Sequence, residues 1–197
     1  MKSNSYLLLL CILFLTACSS PNSQQQAQQF INEEIGWTIE IPTGFNSLNP
    51  HELAQQDEKG KQAVESGTGQ KVVAGKLVHL LNFQKDQLNS LNATIQLFDQ
   101  RKENYQTANQ ATKKAIFDAY AAQKIKIDTS SFTNSYAGES FHGFLIKIYA
   151  PNGEVLMHQL MLSQLRRGYD FAININYNNE NDATLIMDAL KNSKFSK

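Results

Sequence analysis

The chain has 197 residues, with 18 basic and 18 acidic side chains, and hydrophobic residues make up 42% of it. This length and composition are sufficient for one packed domain. The balanced charge, without a basic excess or stripe, argues against a nucleic-acid-binding protein, so no nucleic-acid partner is predicted.

Residues 1–17 have the pattern of a secretion signal. Lys2 gives a positive start, and residues 6–15 are almost wholly apolar. This apolar run is too short to span a bilayer as a stable helix, and such a segment is removed from the mature protein. Since Cys11 lies inside the signal, the mature chain is expected to keep one cysteine and to form no internal disulfide.

The remaining cysteine ends a motif, Leu15-Thr16-Ala17-Cys18, that resembles the lipobox of bacterial lipoproteins. The resemblance implies cleavage between Ala17 and Cys18 and acylation of the cysteine, for example with palmitate. Two or three acyl chains hold a protein stably on a membrane, whereas one chain is marginal. The alternative is an ordinary cleaved signal with a chance cysteine. We expect a membrane-anchored protein with Cys18 as the lipid attachment site.

Residues 18–29 are predicted to be a flexible tether. After the cysteine they read SSPNSQQQAQQ, with no charge and no large apolar side chain to bury in a core. Position 19 is serine and not aspartate. By resemblance to the sorting rules of well-studied Gram-negative bacteria, this favours the outer membrane, facing the periplasm. Residues 30–197 are predicted to form a single globular domain.

Hydrophobic periodicity predicts the elements of this domain in chain order. The first half is expected to contain a strand at 37–41, a helix at 51–66 capped by Asn49, strands at 76–84 and 94–98, and an amphipathic helix at 105–123. The second half is expected to be a meander followed by a helix, with strands in 124–132, around 144–148, at 155–165 and at 169–177, and the helix at 180–192.

This order predicts an α+β fold. Short turns at Gly138, at 150–153 and at 166–168 make the late strands antiparallel, because tight hairpin turns join antiparallel neighbours. Helices that come early, midway and last can cover both faces of the sheet. We therefore expect an antiparallel sheet of about six to seven strands sandwiched by helices, with a late β-meander followed by a C-terminal helix.

Three stretches resemble a family of small Gram-negative lipoproteins whose domain is similar to PsbP, the extrinsic subunit of photosystem II. They are GWTIEIPTGF from Gly36, GYDFAININY from Gly168, and the closing NSKF. Within the first, residues 41–45 have the form of the extended segment that opens PsbP-like domains, with Phe45 in place of tryptophan. The resemblance implies a hairpin-rich antiparallel sheet between helices over residues 30–197, and it brings no catalytic or cofactor motif.

Two features were considered as signs of catalysis or metal binding. The run GESFHG at 138–143 is close to the Gly-x-Ser-x-Gly motif around a nucleophile, but His142 replaces the second glycine and a strand is expected to follow Ser140. A hairpin with Gly138 at its tip explains the run better. The four histidines, at positions 51, 79, 142 and 158, have no metal-ligand spacing, so no metal and no cofactor is predicted.

Two sets of polar residues are candidates for binding. Asp170, Asn174 and Asn176 present oxygen atoms along one face of a predicted strand, and calcium prefers such ligands. The alternative is a polar sheet face followed by a helix that Asn178 or Asn179 caps.

The second set is the pair Arg166 and Arg167, which lies at a predicted hairpin tip. The two side chains either contact a phosphate or carboxylate of a partner or are simply solvated.

The resulting functional hypothesis is a non-catalytic lipoprotein whose domain binds an unidentified envelope protein. The alternative is a small-ligand-binding or ion-binding protein, or a hydrolase, that uses a pocket between sheet and helix. Ser140, His142, His158 or the face of Asp170 would then supply the reacting or binding groups. A third possibility is a purely structural surface lipoprotein.

Overall fold

The computed structural model describes residues 28–69, 77–100 and 104–197. The predicted signal, the lipobox residues Ala17 and Cys18, and most of the predicted tether lie outside the described residues. Within these three ranges, no helix is both long enough and apolar enough to cross a membrane.

The described residues form ten strands and three helices. In chain order they are β1 (Gln28–Asn32), β2 (Trp37–Ile41), β3 (Asn46–Ser47), α1 (Pro50–Thr68), β4 (Val78–Asp86), β5 (Asn89–Leu97), α2 (Tyr105–Ala122), β6 (Ile127–Tyr136), β7 (Glu139–Tyr149), β8 (Val155–Arg166), β9 (Tyr169–Tyr177), α3 (Glu180–Asn192) and β10 (Lys194–Phe195).

Seven of the strands form one antiparallel sheet in the order β3-β4-β5-β9-β8-β7-β6. The predicted α+β fold, the number of strands and the late meander are confirmed. The three predicted hairpin turns are also present, and each contains a glycine with positive φ: 81° at Gly138, 88° at Gly153 and 82° at Gly168. Residues that carry a side chain rarely adopt this backbone conformation, so the glycines fix where the strands reverse.

Two predicted strands begin at other residues than the observed strands. The strand predicted at 94–98 begins five residues earlier, at Asn89, because the alternation continues toward the N-terminus: Leu91 and Ala93 are buried on one face, and polar residues lie between them on the other. The strand predicted in 124–132 begins later, at Ile127. Lys124 has a φ of 56°, which is incompatible with a strand, and it closes α2 by donating its N–H to the Ala121 carbonyl.

A second sheet of three strands, in the order β1-β2-β10, was not predicted. β1 begins at Gln28, so the last two residues of the predicted tether pair with Ile41 and Glu40. At the other edge, Phe195 in β10 pairs with Trp37. A glutamine-rich start and a strand of two residues give no periodic signal, so the sequence alone could not place β1 and β10.

The main core lies between this small sheet, α3 and one face of the large sheet. Phe171, Ile173 and Ile175 of β9 point to this face and are fully or almost fully buried, as their alternation predicted. The Trp37 ring stands at an angle on Phe171, with ring centroids 5.2 Å apart, and stacks on Phe195 at 6.2 Å. Trp37 therefore joins the two sheets directly.

The opposite face of the large sheet is covered by α2, which in turn packs on α1. Phe144, Ile146 and Ile148 of β7 form a smaller apolar cluster there, into which α2 places Ile116, Phe117 and Tyr120. Helices therefore cover both faces of the sheet, as predicted.

Asparagine begins each of the three helices. Asn49 caps α1 and forms a reciprocal capping box with Glu52, Asn104 caps α2, and Asn179 caps α3. These side chains satisfy N–H groups that the first turn of a helix leaves without a partner. The predicted caps at Asn49 and at one of residues 178–179 are confirmed.

We predict that Gly143→Ala destabilises the protein. A Cβ atom at this position would lie 2.6 Å from the Phe132 ring and 2.9 Å from the Leu162 side chain. Such overpacking costs about 1–3 kcal/mol, which urea unfolding would measure. The same change in a Phe132→Ala background should cost less, because the closest neighbour is gone. Equal costs in the two backgrounds would show that Phe132 does not restrict this position.

Candidate functional site

A cavity of about 270 Å³ lies between the helix-covered face of the large sheet and the helices α1 and α2. Its floor comes from strands at the centre of the sheet, where Asn92 of β5 pairs with Asn174 of β9, and Thr94 pairs with Ala172. Asn109 of α2 lies above this floor. The cavity lies between sheet and helix, where the sequence-based alternative placed a binding pocket. Its volume is slightly below the range of about 300–1,000 Å³ that is usual for small-ligand sites.

The small side chain of Ala172 helps to form this cavity. Its neighbours across the sheet are Thr94 on one side and Ser163 on the other, and both belong to the cavity lining. The amide of Asn109 donates a hydrogen bond to the Ser163 hydroxyl, which fixes α2 over the floor. A larger residue at position 172 would fill the space that these contacts leave.

Asp170 lies at one end of the cavity and binds Tyr105. The Tyr105 hydroxyl, on the first residue of α2, donates to Asp170 Oδ1 at 3.1 Å. Phe98 holds the Tyr105 ring in an edge-to-face contact with centroids 5.3 Å apart. Burial raises the pKa of the Asp170 carboxyl, and the hydrogen bond from Tyr105 opposes that rise. Burial also raises the pKa of the Tyr105 hydroxyl. Within the described ranges, no lysine or arginine pairs with this carboxylate, so the charge at this end is poorly stabilised by the residues that the structure describes.

Asn174 contributes an acceptor without a partner. Its Oδ1 atom is buried and receives no hydrogen bond. Buried polar atoms in proteins are almost always paired, because an unpaired one costs about 1–3 kcal/mol. The Asn174 oxygen is therefore a position that a hydrogen-bond donor would stabilise.

His79 and Asp57 complete the site from β4 and α1. His79 Nε2 lies 2.7 Å from Asp57 Oδ2, and His79 Nδ1 lies 3.4 Å from the Asn92 amide nitrogen. The sequence analysis missed both as site residues. They belong to different elements and make their contact across 22 sequence positions, so no local pattern could have revealed it.

Two of the three oxygen-bearing residues predicted on β9, Asp170 and Asn174, line the cavity. Asn176 lies on the same sheet face but outside the lining, where it accepts from Gln159 Nε2 and donates to Ser90 Oγ, each at 3.3 Å. In the part of the chain that the structure describes, no three His, Cys, Asp or Glu side chains gather into a potential metal-binding group.

The predicted arginine pair is bound within the chain. Arg166 has a side chain only 11% exposed and pairs with Glu139 at 2.9 Å. It also donates to the carbonyls of Ile35 and Ser196, at 2.5 and 2.6 Å. Arg167 is exposed but donates to carbonyls of the turn before β2 and of the C-terminal residues. Arg166 is therefore not a solvated side chain. Both arginines connect the last residues of the chain to the turn that precedes β2.

The groups considered for hydrolysis are not brought together. Ser140 and His142 are exposed in β7, after a tight turn at Gly138, so the hairpin interpretation is confirmed and no strand-to-helix turn presents the serine. His158 stacks on Tyr177 with ring centroids 4.9 Å apart, near the edge of the main core. Burial, together with Lys147, lowers the pKa of His158. None of the three lines the cavity.

A solved structure of similar fold is the solution structure of cyanobacterial PsbP (CyanoP) from Synechocystis sp. PCC 6803. The two share 10% sequence identity at a TM-score of 0.54, over 86% of this chain and 92% of that chain. At this identity the likeness concerns the fold alone, and the chain has a PsbP-like fold. The fold implied by the sequence resemblance is therefore confirmed. No protein-family model and no curated protein matches the sequence.

We predict that Asp170 makes the stability of the protein depend on pH. Because the folded state holds the proton of this carboxyl more tightly than the unfolded chain, its contribution is greatest below the unfolded pKa of 3.8 and is lost as the pH rises through the folded pKa. The free energy of unfolding of the unmodified protein, relative to Asp170→Asn, should therefore be lower at neutral pH than below pH 3.8. Urea unfolding of both proteins across this range measures the difference.

Tyr105→Phe provides the matched comparison. It removes the hydrogen bond that opposes the pKa rise at Asp170, so the fall in stability should be steeper in this variant. A difference between the unmodified protein and Asp170→Asn that stays constant over the pH range would contradict the effect of burial on this carboxyl.

Proposed function

We propose that this chain is a lipid-anchored accessory protein of the bacterial envelope, which binds a protein partner without catalysing a reaction. In this proposal Cys18 is acylated, the following residues form a spacer, and the PsbP-like domain docks on the partner. The outer membrane, facing the periplasm, is the proposed location.

The observation that carries the anchor is the sequence Leu15-Thr16-Ala17-Cys18 directly after an apolar run. The position of the first strand is compatible with it. The first strand that the structure describes, β1, begins at Gln28, ten positions after Cys18. A polar spacer of this composition lets a domain move over the membrane surface while its lipid stays in the bilayer.

Two observations support a non-catalytic role. The PsbP-like fold is the fold of an extrinsic accessory subunit, which favours a binding protein over an enzyme. In addition, Ser140, His142 and His158 lie apart from one another and from the cavity. A nucleophile and its base must be within hydrogen-bond reach of each other to react.

The outer edge of β6 is the docking surface that we propose. β6 is the end strand of the large sheet, and within the described ranges no strand pairs with its outer side. Its register with β7 continues without a shift from Ile127 to Tyr136. The sequence IDTSSFTNSY contains no lysine and no proline, and it lacks a bulge, so three features that protect a sheet edge are missing and Asp128 supplies its one charge. A long, regular edge of this kind suits an extended segment of a partner protein, which would add as a further strand.

We predict that Cys18→Ala abolishes acylation. Cells grown with an alkyne-bearing palmitate analogue should label the unmodified protein and not this variant, because Cys18 is the proposed site of lipid attachment. Cys11→Ala is the matched control, since it removes the only other cysteine and leaves the lipobox intact. Labelling that persists in Cys18→Ala, or is lost equally in both variants, would refute the anchor.

We predict that a photo-crosslinking residue at position 130 captures an envelope protein in living cells. Ser130 is exposed in the middle of the β6 edge. Leu185, 44% exposed on α3, provides a control position away from that edge. Mass spectrometry should identify a partner captured from position 130 and not from position 185. Capture of the same proteins from both positions would contradict docking at β6, and a second copy of this chain captured at 130 would identify self-association instead.

A further inference from the structure

The cavity beneath α1 and α2 has hydrogen-bond acceptors at both ends and apolar surface between them. Among the described residues that line it, there are two carboxylates, Asp57 and Asp170, and no lysine or arginine. An environment of this kind favours a ligand that brings positive charge and N–H donors.

At one end, the carboxylate of Asp170 has a neutral partner, the Tyr105 hydroxyl. A partly buried carboxylate without a cation is unfavourable, because it has lost water and gained no opposite charge. An ammonium group placed here would supply both the charge and up to three hydrogen bonds.

At the other end, the buried Oδ1 atom of Asn174 has no partner. Asn92 lies beside it across the strand pair, and the Asp57–His79 pair stands next to Asn92. Asp57, whose side chain is 49% exposed, gives the mouth of the cavity a second carboxylate. A second N–H donor of the ligand would satisfy the Asn174 oxygen.

The two ends are separated by a stretch that suits methylene groups. Asp170 and Asn174 are four residues apart on β9, which corresponds to about 13 Å of strand. Between them the floor is Ala172, which Thr94 and Ser163 flank across the sheet. The methyl groups here offer apolar contact to methylene groups, and the two hydroxyls offer acceptors to a nitrogen in the middle of the ligand.

From these features we infer that the cavity binds a linear aliphatic polyamine, with one ammonium on Asp170 and another donor at the Asn174 end. A linear chain with nitrogen atoms at its ends matches the distance between the two ends of the cavity and the acceptors found there. The site goes beyond the proposed accessory role, and it depends neither on the lipid anchor nor on the β6 edge.

The test is titration of the purified full-length chain with spermidine, in a neutral detergent, by calorimetry. Asp170→Asn should weaken binding about tenfold or more, because it removes the charge-assisted hydrogen bond. Asp128→Asn is the matched control. Asp128 also accepts from a tyrosine, Tyr149, at 2.5 Å, but that pair is exposed and outside the cavity. The control should bind spermidine as the unmodified protein does.

Two further measurements separate the cavity from a general effect of charge. Ala172→Leu should reduce binding by filling the floor without changing any charge. Spermidine acetylated at both terminal nitrogens should bind much more weakly than spermidine, since its terminal charges are lost. No binding of spermidine at about 1 mM would overturn the inference. It would also be overturned by equal weakening in Asp170→Asn and Asp128→Asn, or by undiminished binding of the acetylated compound, which would show that the site does not recognise terminal ammonium groups.

Discussion

The alternation of side chains along β9 is the constraint on which the rest of the structure depends. This strand lies at the centre of the large sheet, between β5 and β8, and each successive residue must point to the opposite face. Phe171, Ile173 and Ile175 therefore enter the main core, where α3 and the small sheet cover them. Asp170, Ala172 and Asn174 are directed by the same geometry beneath α2. Shifting the register by one residue would place a carboxylate in the core, so the packing of one face fixes the chemistry of the other.

Each face of the large sheet buries polar atoms that have no hydrogen-bond partner. On the core side, Trp37 and Phe195 fill the space between the sheets with closely packed rings, yet Trp37 Nε1 and Gln164 Nε2 are unpaired. On the helix side, the Asn174 oxygen is unpaired. Of these three residues, Asn174 lines the cavity and the other two do not. The cavity, more than an unpaired atom by itself, therefore distinguishes the helix side as the candidate binding face.

Much of the fold follows from local patterns, whereas the site follows from contacts that are distant in sequence. A few neighbouring residues are enough to recognise a hairpin glycine, a helix-capping asparagine or the alternation of β9. The sequence therefore predicted the meander and the position of α3. It did not predict the small sheet, because β10 is two residues long and depends on Trp37 for its pairing. Asp170 and Asn174 could be predicted as a polar row. Their association with Tyr105, His79 and Asp57 could not, since it depends on how α1 and α2 lie over the sheet.

The arginine pair shows that a polar motif which suggests a binding site in the sequence can instead stabilise the folded chain. Arg166 joins the turn before β2, the start of β7 and the last residues of the chain, and its guanidinium carbon lies 4.7 Å from the centre of the Phe195 ring. These contacts hold β10 against β2, whose other edge pairs with β1. The two arginines therefore stabilise the small sheet that covers the main core. The cavity and the β6 edge involve other parts of the large sheet, so a substitution at Arg166 tests the packing of the small sheet without changing either of them.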